Sequence, residues 1–457
     1  MKRFFQLSLA LILLAIVGVY VLGALFFNDI YMPRTYINGK DFSLTAKSEL
    51  EENYNAIYDN YTLTLKERDG EEVIPTAAFD YTDRLKEGAE VAQNPMYWPL
   101  YLLVDKQYKA PSVSTMDRAE FQTVLSGLTL LSTPRVAPQD AKVIYDGTAF
   151  TIQEEVLGNT IDTAKFTAAV EKAIQNRDDV LDLDAAEIYI APQKTKDDPQ
   201  LLALRDGKNS VLGFSITYDF ADRQEVLQAD RLANLYGIDD KGNFTVDKSL
   251  VENYVATTLK AYDTFKGTRD FSTTGLGVAR VPGGIYGWLT DIGKTTDALV
   301  QALNDGKTVT MKPVYKLEGH SRAQNDVGNS YIEIDLGRQH MWLYREGQLV
   351  LDTPVVTGNP NEGNSTPTGT QKIWSRETDR ILKGKTWESH VNYWLPFDWT
   401  GCGVHDSEWR DQYGNTIYRT NGSHGCVNTP PAVMAQLYDN TFYNMPVVIY
   451  DSTTQMI

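Results

Sequence analysis

The sequence predicts a multidomain chain with an N-terminal transmembrane helix, two α+β repeat modules and a mostly-β domain at the C-terminus. Its 457 residues are too many for one hydrophobic core, since a domain typically holds about 100 to 200 residues. A long uncharged segment opens the chain, a similar pattern of residues occurs twice in the middle, and short apolar runs fill the C-terminal quarter. We divide the chain into residues 1–29, 35–200, 205–318 and 330–451.

Composition excludes several classes of protein. The chain has 43 basic and 60 acidic residues and a formal net charge of −17, a balance that repels polyanions, so we expect no nucleic-acid partner. Only two cysteines are present, Cys402 and Cys426, so at most one disulfide can form. We expect no metal site and no cofactor.

The first segment is predicted to cross a membrane. Residues 4–27 carry no charge and are long enough for a hydrocarbon layer of about 30 Å. A cleaved signal peptide has a shorter apolar region, of about 7 to 15 residues, and an A-x-A-like site; this segment has neither. Basic residues precede it and Asp29 follows it, so we expect a cytoplasmic N-terminus and a single-pass protein of the cell membrane with its other domains outside.

Two segments of the middle region resemble diverged copies of one unit. The run Asp69–Ile74 parallels Asp222–Leu227, and each follows alternating, strand-like residues. Later in each copy, a glycine and an aspartate precede a helical apolar pattern. The Tyr-Ile-Asn-Gly-Lys opening at Tyr36, with this Gly-x-x-x-Asp and helix pattern, resembles the peptidoglycan-binding domains of Gram-positive surface proteins. The alternative is a spacer that holds the next domain away from the membrane.

The C-terminal quarter is predicted to be mostly β. We place a domain boundary in the polar, turn-rich segment 316–330. Beyond it, Tyr331–Asp335, Met341–Tyr344 and Leu349–Val356 alternate or run apolar over strand lengths. Six of the eight tryptophans also lie in this quarter.

A cysteine near two histidines marks the candidate active site. A free thiol has a pKa of about 8.5, so a reactive cysteine needs a base or a positive field. The segment after Cys426 predicts a helix with Thr429 as N-cap and Pro430 as its first residue, which places the thiol near a helix N-terminus. The base is His405 or His424. We favour His405, because His424 is only two residues from the cysteine in a tight turn.

The neighbours of this pair have expected roles of their own. The orienter of the base is Asp406, Ser423 or a backbone carbonyl, and adjacent residues of a strand point to opposite faces. Gly425 permits a positive φ, which lets the N–H groups of the loop, including that of His424, converge on an oxyanion. Cys402 is an inert core residue, a disulfide partner of Cys426 or the true nucleophile.

These residues resemble the signature of the L,D-transpeptidases with a YkuD-type catalytic domain. The resemblance lies in Ser423–Asn428 (SHGCVN), in the preceding His405, and in Thr357-Gly358 with Thr366–Gly369. It implies a β-sandwich of mixed sheets with the cysteine loop at one end. Many members carry Gly or Ser where this chain has Asp406.

The resemblance also implies a reaction and a substrate. Cys426 attacks the carbonyl of the third residue of a peptidoglycan tetrapeptide stem, releases the terminal D-Ala and forms a thioester, which an amine of a neighbouring stem resolves. No cofactor takes part, and the family is acylated by carbapenems. Arg410 and Arg419 are candidates to pair with a substrate carboxylate, and Asn428 and Trp394 to contact the stem.

Two alternative functions remain open. An L,D-carboxypeptidase would use the same residues with water in place of the acceptor amine. A catalytically idle wall-binding scaffold would use only the repeats. A sortase is excluded because it needs an Arg after its cysteine, and residues 427–457 contain none.

Overall fold

The computed structural model describes residues 2–384 and 387–457, which form two compact units. The first unit contains the residues up to Lys142 together with Gln153–Lys196, and the second contains Val143–Ile152 and Asp197–Ile457. The predicted catalytic domain and the second predicted repeat therefore lie in the same unit.

The chain opens with helix α1 (Lys2–Phe26). Within the described part of the chain, this is the one helix long and apolar enough to cross a membrane, over the 21 residues Gln6–Phe26. None of that window is buried inside the protein. This agrees with an apolar N-terminal span, because a core helix of similar composition would be mostly buried.

The elements that follow, up to residue 196, are β1 (Thr35–Ile37), β2 (Lys40–Asp41), α2 (Leu50–Asp59), β3 (Thr62–Lys66), β4 (Glu71–Pro75), β5 (Thr82–Leu85), β6 (Lys106–Tyr108), β7 (Ser112–Thr115), α3 (Arg118–Ser126), α4 (Thr129–Ser132), β8 (Lys142–Tyr145), β9 (Phe150–Gln153), α5 (Thr163–Asn176) and β10 (Val180–Asp182). A 3-10 helix covers Pro95–Leu102. The hairpin of β8 and β9 belongs largely to the second unit.

A three-stranded sheet carries the core of the first unit. Its order is β10–β3–β4, with β10 parallel and β4 antiparallel to β3. Helix α5 begins after Asp162, whose side chain accepts from the N–H groups of Ala164 and Lys165. Its apolar face, including the fully buried Phe166 and Val170, packs into the core of this unit.

The second unit begins with α6 (Pro199–Ser210), β11 (Ile216–Asp219), β12 (Gln224–Leu227), α7 (Ala229–Ala233), β13 (Tyr236–Ile238), β14 (Phe244–Val246), α8 (Lys248–Thr257), β15 (Arg269–Thr273), β16 (Gly277–Val281), β17 (Leu289–Thr290), α9 (Ile292–Asp305), β18 (Val309–Met311) and β19 (Tyr315–Leu317). The sheet β18–β11–β12 has β18 parallel and β12 antiparallel to β11. Helix α9 precedes β18 and is capped by Asp291.

Both predicted boundaries of this module lie in ordered structure. Residues 200–205, where the first predicted module ends and the second begins, are inside α6. The polar segment 316–330 opens within strand β19 and includes the buried Asp326, which pairs with Arg269 and accepts from Thr264 Oγ1. This polar segment is therefore packed against the rest of the unit, because the Asp326 carboxylate is buried and paired.

The C-terminal domain contains β20 (Tyr331–Asp335), β21 (His340–Arg345), β22 (Gln348–Pro354), β23 (Gly369–Lys372), β24 (Glu377–Lys383), β25 (Glu388–Pro396), β26 (Gly403–Asp406), α10 (Tyr418–Asn421), β27 (Val427–Thr429), α11 (Pro431–Asp439) and β28 (Pro446–Tyr450). The predicted β-rich domain is confirmed. Its two sheets have the orders β22–β21–β20–β28–β23 and β24–β25–β26–β27.

Both sheets are mixed. The pairs β20–β28 and β26–β27 are parallel, and the other pairs are antiparallel. A two-residue turn with positive φ at Glu346 and Gly347 joins β21 to β22, as the right-handed twist of a hairpin favours. Residues of both sheets, such as Ile334 and Val404, share one core with Met434 of α11. This core fixes the edge where β26 and β27 lie side by side.

Candidate active site

The two central candidates come from neighbouring parallel strands. His405 lies on β26 and pairs in register with Asn428 on β27. Cys426 comes directly before β27, two residues from Asn428. The parallel pairing therefore brings the histidine and the cysteine loop to the same edge of the sheet, although 20 residues separate them along the chain.

The cysteine loop is held by its own hydroxyl groups. Ser423 Oγ donates to the Cys426 carbonyl at 2.5 Å and accepts from the Gly425 N–H at 3.1 Å. Thr366 Oγ1 donates to the Gly425 carbonyl at 2.8 Å and accepts from the Gly358 N–H at 2.9 Å. The segments Thr357-Gly358 and Thr366–Gly369 therefore pack against the cysteine loop and hold it by hydrogen bonds.

Gly425 is required by geometry. Its φ of 124° lies in the region that favours glycine. A Cβ at this position would lie 2.7 Å from Cys402 Sγ, closer than the two atoms can approach. Because its N–H is donated to Ser423, Gly425 does not present that group to the cavity, and the expected convergence of loop N–H groups on an oxyanion does not include it.

His405 is neutral and oriented by main chain and amide. It is 3% exposed, and its Nδ1–H donates to the Asp406 backbone carbonyl at 2.7 Å. Nε2 then carries the lone pair, which accepts from Asn428 Nδ2 at 3.1 Å. Burial lowers the pKa of His405. The hydrogen bond to the Asp406 carbonyl and the Asp406 charge oppose this shift, and the Arg410 charge adds to it.

Arg410 fixes the orientation of that amide. Its Nε donates to Asn428 Oδ1 at 2.7 Å, and its Nη1 donates to the Asn421 carbonyl at 2.7 Å. With Oδ1 occupied by the guanidinium, only Nδ2 of Asn428 can face His405. A relay of two hydrogen bonds therefore connects Arg410 to Asn428 and Asn428 to the lone pair of the His405 imidazole.

Three tryptophans surround the site. Trp394 and Trp409 lie against the His405 ring, with ring centroids 5.8 and 5.9 Å away. Trp387 stacks on His424 at 5.1 Å. Trp394 is buried on the strand next to β26, whereas Trp409 is half exposed. These two indole rings contribute to the burial of the imidazole, which is consistent with its neutral form.

Cys426 lies between two cavities. The first, of about 250 Å³, is lined by His405, Asn428, Arg410 and Trp409 as well as the thiol. The second, of about 680 Å³, includes Cys402, Thr400, Trp374, Arg380 and Lys383 with Cys426 in its lining. Trp387, His424 and Leu382 contribute to both. Cys426 is therefore part of the wall between these two cavities.

The thiol is protonated at rest. Burial raises the pKa of Cys426 to about 12, and the neighbouring Cys402 thiol also raises it, although the nearby Gly403 backbone N–H opposes the shift. Among the hydrogen bonds of the described residues, none joins Cys426 to His405. The resting site holds a thiol and a neutral imidazole that face one cavity without a direct contact.

Cys402 is a buried thiol that packs in the core of the domain. Both cysteines are free, so the expected alternative of a disulfide between them is not the form seen in this structure. The Cys402 N–H donates to Asp398 Oδ1 at 2.8 Å, and burial raises the pKa of the Cys402 thiol to about 11.

Several expected positions differ from the structure. The Asp406 carboxylate faces away from His405 and accepts from the N–H groups of Asn392 and Tyr393 at 3.0 and 2.8 Å. The alternation of a strand causes this, since the carboxylate and the imidazole leave β26 on opposite faces. Arg419 is not in the lining of either cavity, because its Nε donates to the Tyr418 hydroxyl at 3.1 Å.

The expected helix after Cys426 is present, but it begins one residue later than predicted. Thr429 is the last residue of β27, the N-cap is Pro430 and α11 begins at Pro431. Strand β27 therefore separates the thiol from the helix, and the field of a helix end falls off within a turn. The Gly403 N–H, supplied by the adjacent strand, is the nearby positive group instead.

Three functional contacts were not foreseen from the sequence. They are the Gly403 N–H near the sulfur, the Trp409 ring on His405 and the Arg410–Asn428 bond. Of these three contacts, only the one made by Trp409 could have been suspected from the sequence, because this residue lies four positions after His405. No group of three or more His, Cys, Asp or Glu residues within residues 2–384 and 387–457 could hold a metal ion.

Two protein-family models match parts of this chain. Residues 329–449 match the model of the YkuD L,D-transpeptidase catalytic domain, and residues 216–310 match that of a peptidoglycan-binding domain. No curated protein matches the chain.

Several solved structures are similar in sequence. A crystal structure of a mutant Enterococcus faecium L,D-transpeptidase is 34% identical over 54% of this chain and 98% of its own, with a TM-score of 0.49. The catalytic domain of an E. faecium L,D-transpeptidase, solved by NMR, is 46% identical over 27% of this chain and 97% of its own, with a TM-score of 0.25. The same domain acylated by ertapenem is 45% identical over 27% of this chain and 98% of its own, also with a TM-score of 0.25. By sequence identity over nearly the whole of these relatives, and by the catalytic-domain model, this chain belongs to the L,D-transpeptidases, which are acyltransferases with a cysteine nucleophile.

Proposed function

We propose that this protein is a membrane-anchored L,D-transpeptidase that forms 3-to-3 crosslinks in peptidoglycan through a thioester on Cys426. One observation carries the proposal: the Cys426 thiol and the His405 imidazole face a single cavity from two paired parallel strands. A thiol nucleophile and one base are sufficient for acyl transfer without a metal.

In the first half-reaction, Cys426 Sγ attacks the carbonyl carbon of the third residue of a donor tetrapeptide stem. The S–H proton passes to Nε2 of His405, which is unprotonated and exchanges its bond to Asn428 for the incoming proton. The C–N bond to the terminal D-Ala then breaks, and the imidazolium returns the proton to the departing amine. Catalytic hydrogen bonds often tighten only when substrate binds, so the absence of a resting thiol–imidazole bond is compatible with this step.

In the second half-reaction, an amine of an acceptor stem attacks the thioester carbonyl. His405 takes the proton of this amine, the C–S bond breaks, and the thiol is restored as the proton returns to sulfur. The larger cavity on the Cys402 side provides a separate approach to the sulfur and carries Arg380 and Lys383 in its lining. An acceptor that enters there does not have to pass the first stem, which favours transpeptidation over hydrolysis by the same residues.

The surrounding residues have supporting roles. Ser423 and Gly425 shape the loop, and His424 lines both cavities as a wall that contacts substrate. Asn428 and Arg410 position the base, and the Gly403 N–H stabilises the thiolate as it forms, because hydrogen bonds to a charged acceptor are roughly twice as strong as neutral ones. Trp394 packs against the His405 ring and keeps water away from it.

We infer that the rest of the chain holds this domain at the cell wall. We infer that α1 anchors the protein with its N-terminus in the cytoplasm and its other domains outside. We also infer two peptidoglycan-binding modules. The sheets β10–β3–β4 and β18–β11–β12 share strand order and direction, and an Asp-capped helix of 14 residues precedes the parallel strand in each. This supports a duplication.

The proposal is tested with purified donor and acceptor muropeptides. Wild-type protein, Cys426→Ala and Cys402→Ala are incubated with tetrapeptide stems, and the products are separated and weighed. We expect 3-to-3 dimers from wild type and from Cys402→Ala, and none from Cys426→Ala. Unchanged dimer formation by Cys426→Ala refutes the mechanism, and tripeptides without dimers identify a carboxypeptidase. Separately, retention of residues 30–318 on insoluble peptidoglycan tests the binding modules.

A further inference from the structure

An uncharged, exposed segment lies against the outer end of helix α1. Residues Pro95–Val104 (PMYWPLYLLV) contain no charged residue, and they begin with the 3-10 helix Pro95–Leu102. Six of their apolar side chains are 49% to 77% exposed: Met96, Tyr97, Leu100, Leu102, Leu103 and Val104. Apolar residues so concentrated on a surface mark an interaction site.

The segment is joined to α1 by specific contacts. Trp98 Nε1 donates to the Tyr20 carbonyl at 3.1 Å, and the Tyr20 hydroxyl donates to the Met96 carbonyl at 2.7 Å. The Trp98 ring fills the space where Gly23 has no side chain, because a Cβ there would lie 2.4 Å from the ring. Farther along, Phe27 and Trp98 have ring centroids 5.9 Å apart. Helix and segment are therefore packed as one element of the first unit.

These contacts set the depth of the segment relative to the span. At 1.5 Å per residue, the 21 residues Gln6–Phe26 extend about 31 Å, which matches a hydrocarbon layer of about 30 Å. Tyr20 then lies about 9 Å inside the outer end of the span. Trp98, bonded to Tyr20, lies at a similar depth.

Charged groups mark where the membrane ends. Lys47 Nζ donates to the carbonyls of Phe27 and Asn28, at 3.2 and 2.7 Å, just beyond the helix C-terminus. Asp105, the first residue after the segment, pairs with Arg34 at 3.1 Å. The uncharged stretch thus stops where charged residues resume, and its tryptophan and tyrosines are the residue types enriched at membrane interfaces.

We infer that Pro95–Val104 is a second membrane-contacting element, which enters the outer leaflet beside α1. The inference rests on the proposed membrane anchor and deepens it. The occupant of the exposed surface is lipid, because the surface is continuous with an apolar helix whose own side chains are unburied. The packing of Gly23 against Trp98 also gives the helix a partner in the rest of the chain, which a cleaved signal sequence would not need.

The test measures depth in a bilayer for the full-length chain. In a Cys402→Ser, Cys426→Ser background, one cysteine at a time is introduced by Leu14→Cys, Leu103→Cys or Ser126→Cys and labelled with an environment-sensitive fluorophore. Leu14 is on α1, and Ser126 is an exposed residue of α3 in the same unit. The purified chain is placed in vesicles of phosphatidylcholine and phosphatidylglycerol, with and without nitroxide-labelled lipids.

We expect blue-shifted, lipid-quenched emission from the labels at positions 14 and 103, and emission from position 126 that the nitroxide lipids do not change. If position 14 is quenched and position 103 behaves like position 126, the segment is outside the bilayer and the inference is wrong, whether water or another protein covers it in the cell. If position 14 is not quenched either, the anchor itself is refuted. Iodide in the aqueous phase provides the complementary readout, since it should quench position 126 more than position 103.

Discussion

Asn428 donates its amide N–H to the His405 Nε2 atom across 3.1 Å, from the residue paired with His405 on the neighbouring parallel strand. The amide holds this orientation because Arg410 occupies its oxygen. The base of the active site is therefore oriented from both of its nitrogens, by the Asp406 carbonyl on one side and by this relay on the other.

Replacing Arg410 by Gln should move the acid limb of the pH profile of kcat/KM to higher pH. The Arg410 charge helps to hold the pKa of His405 low. Without it this pKa rises, so a higher pH is needed to keep the base neutral. Arg419→Gln is the matched control, because that side chain bonds to Tyr418 outside both cavities. An unshifted profile in Arg410→Gln would contradict the relay.

Asp406→Asn should cost stability and move the acid limb to lower pH, because the Asp406 charge raises the pKa of His405 and the substitution removes that charge. The buried carboxylate accepts from the N–H groups of Asn392 and Tyr393, and hydrogen bonds to charged groups contribute about 1.5 to 3 kcal/mol. His405 is oriented by the carbonyl of residue 406, which the substitution retains. Urea unfolding and kcat/KM against pH check the two halves. A loss of activity by orders of magnitude at unchanged stability would show that the carboxylate itself takes part in the chemistry.

Gly425→Ala should abolish most activity, whereas Gly347→Ala should not. Both positions have positive φ, 124° and 80°, so each substitution costs about 1 to 3 kcal/mol of backbone strain. Only at Gly425 does the added Cβ also meet an atom of the site, Cys402 Sγ. A displacement of the loop by about 1 Å is expected to lower kcat/KM by about 10²-fold. Equal losses of activity in the two variants would mean that general destabilisation, rather than loop geometry, is responsible.

The thiol of the free enzyme should titrate well above the ordinary range. Burial raises the pKa of Cys426 to about 12, so the thiolate form appears only at high pH. In the Cys402→Ser variant, Cys426 carries the one remaining thiol. An ordinary thiol has a pKa of about 8.5, and the thiolate absorbance of this variant should show no step near that pH. A step near neutral pH would show that a thiolate–imidazolium pair exists before substrate binds.

The proposed nucleophile, the proposed base and the β-rich class of the domain could all be named from the sequence. Cys426 and His405 stand out because cysteine and histidine are scarce in this chain and occur here in one motif. The apolar span of α1 was predicted from its length and its lack of charge. The strands of the C-terminal domain were predicted from the alternation of their apolar residues, which burial of one face dictates.

The contacts that tune the site were not within reach, because each depends on register. The Gly403 N–H comes near the sulfur only once β26 and β27 are paired, and Arg410 meets Asn428 only through the loop after β26. The helix after Cys426 was placed one residue early because Thr429 is a good N-cap, yet pairing with Asp406 in the parallel sheet takes that residue into β27. Tertiary hydrogen bonding overrode a local preference there.

The measurement that tests the central claim most directly is the intact mass of the protein after brief exposure to a carbapenem. The account predicts one covalent adduct on wild type and on Cys402→Ala, no adduct on Cys426→Ala, and a much slower adduct on His405→Ala because the thiol then has no base. An adduct that survives the removal of Cys426, or one that forms at the wild-type rate without His405, would contradict it.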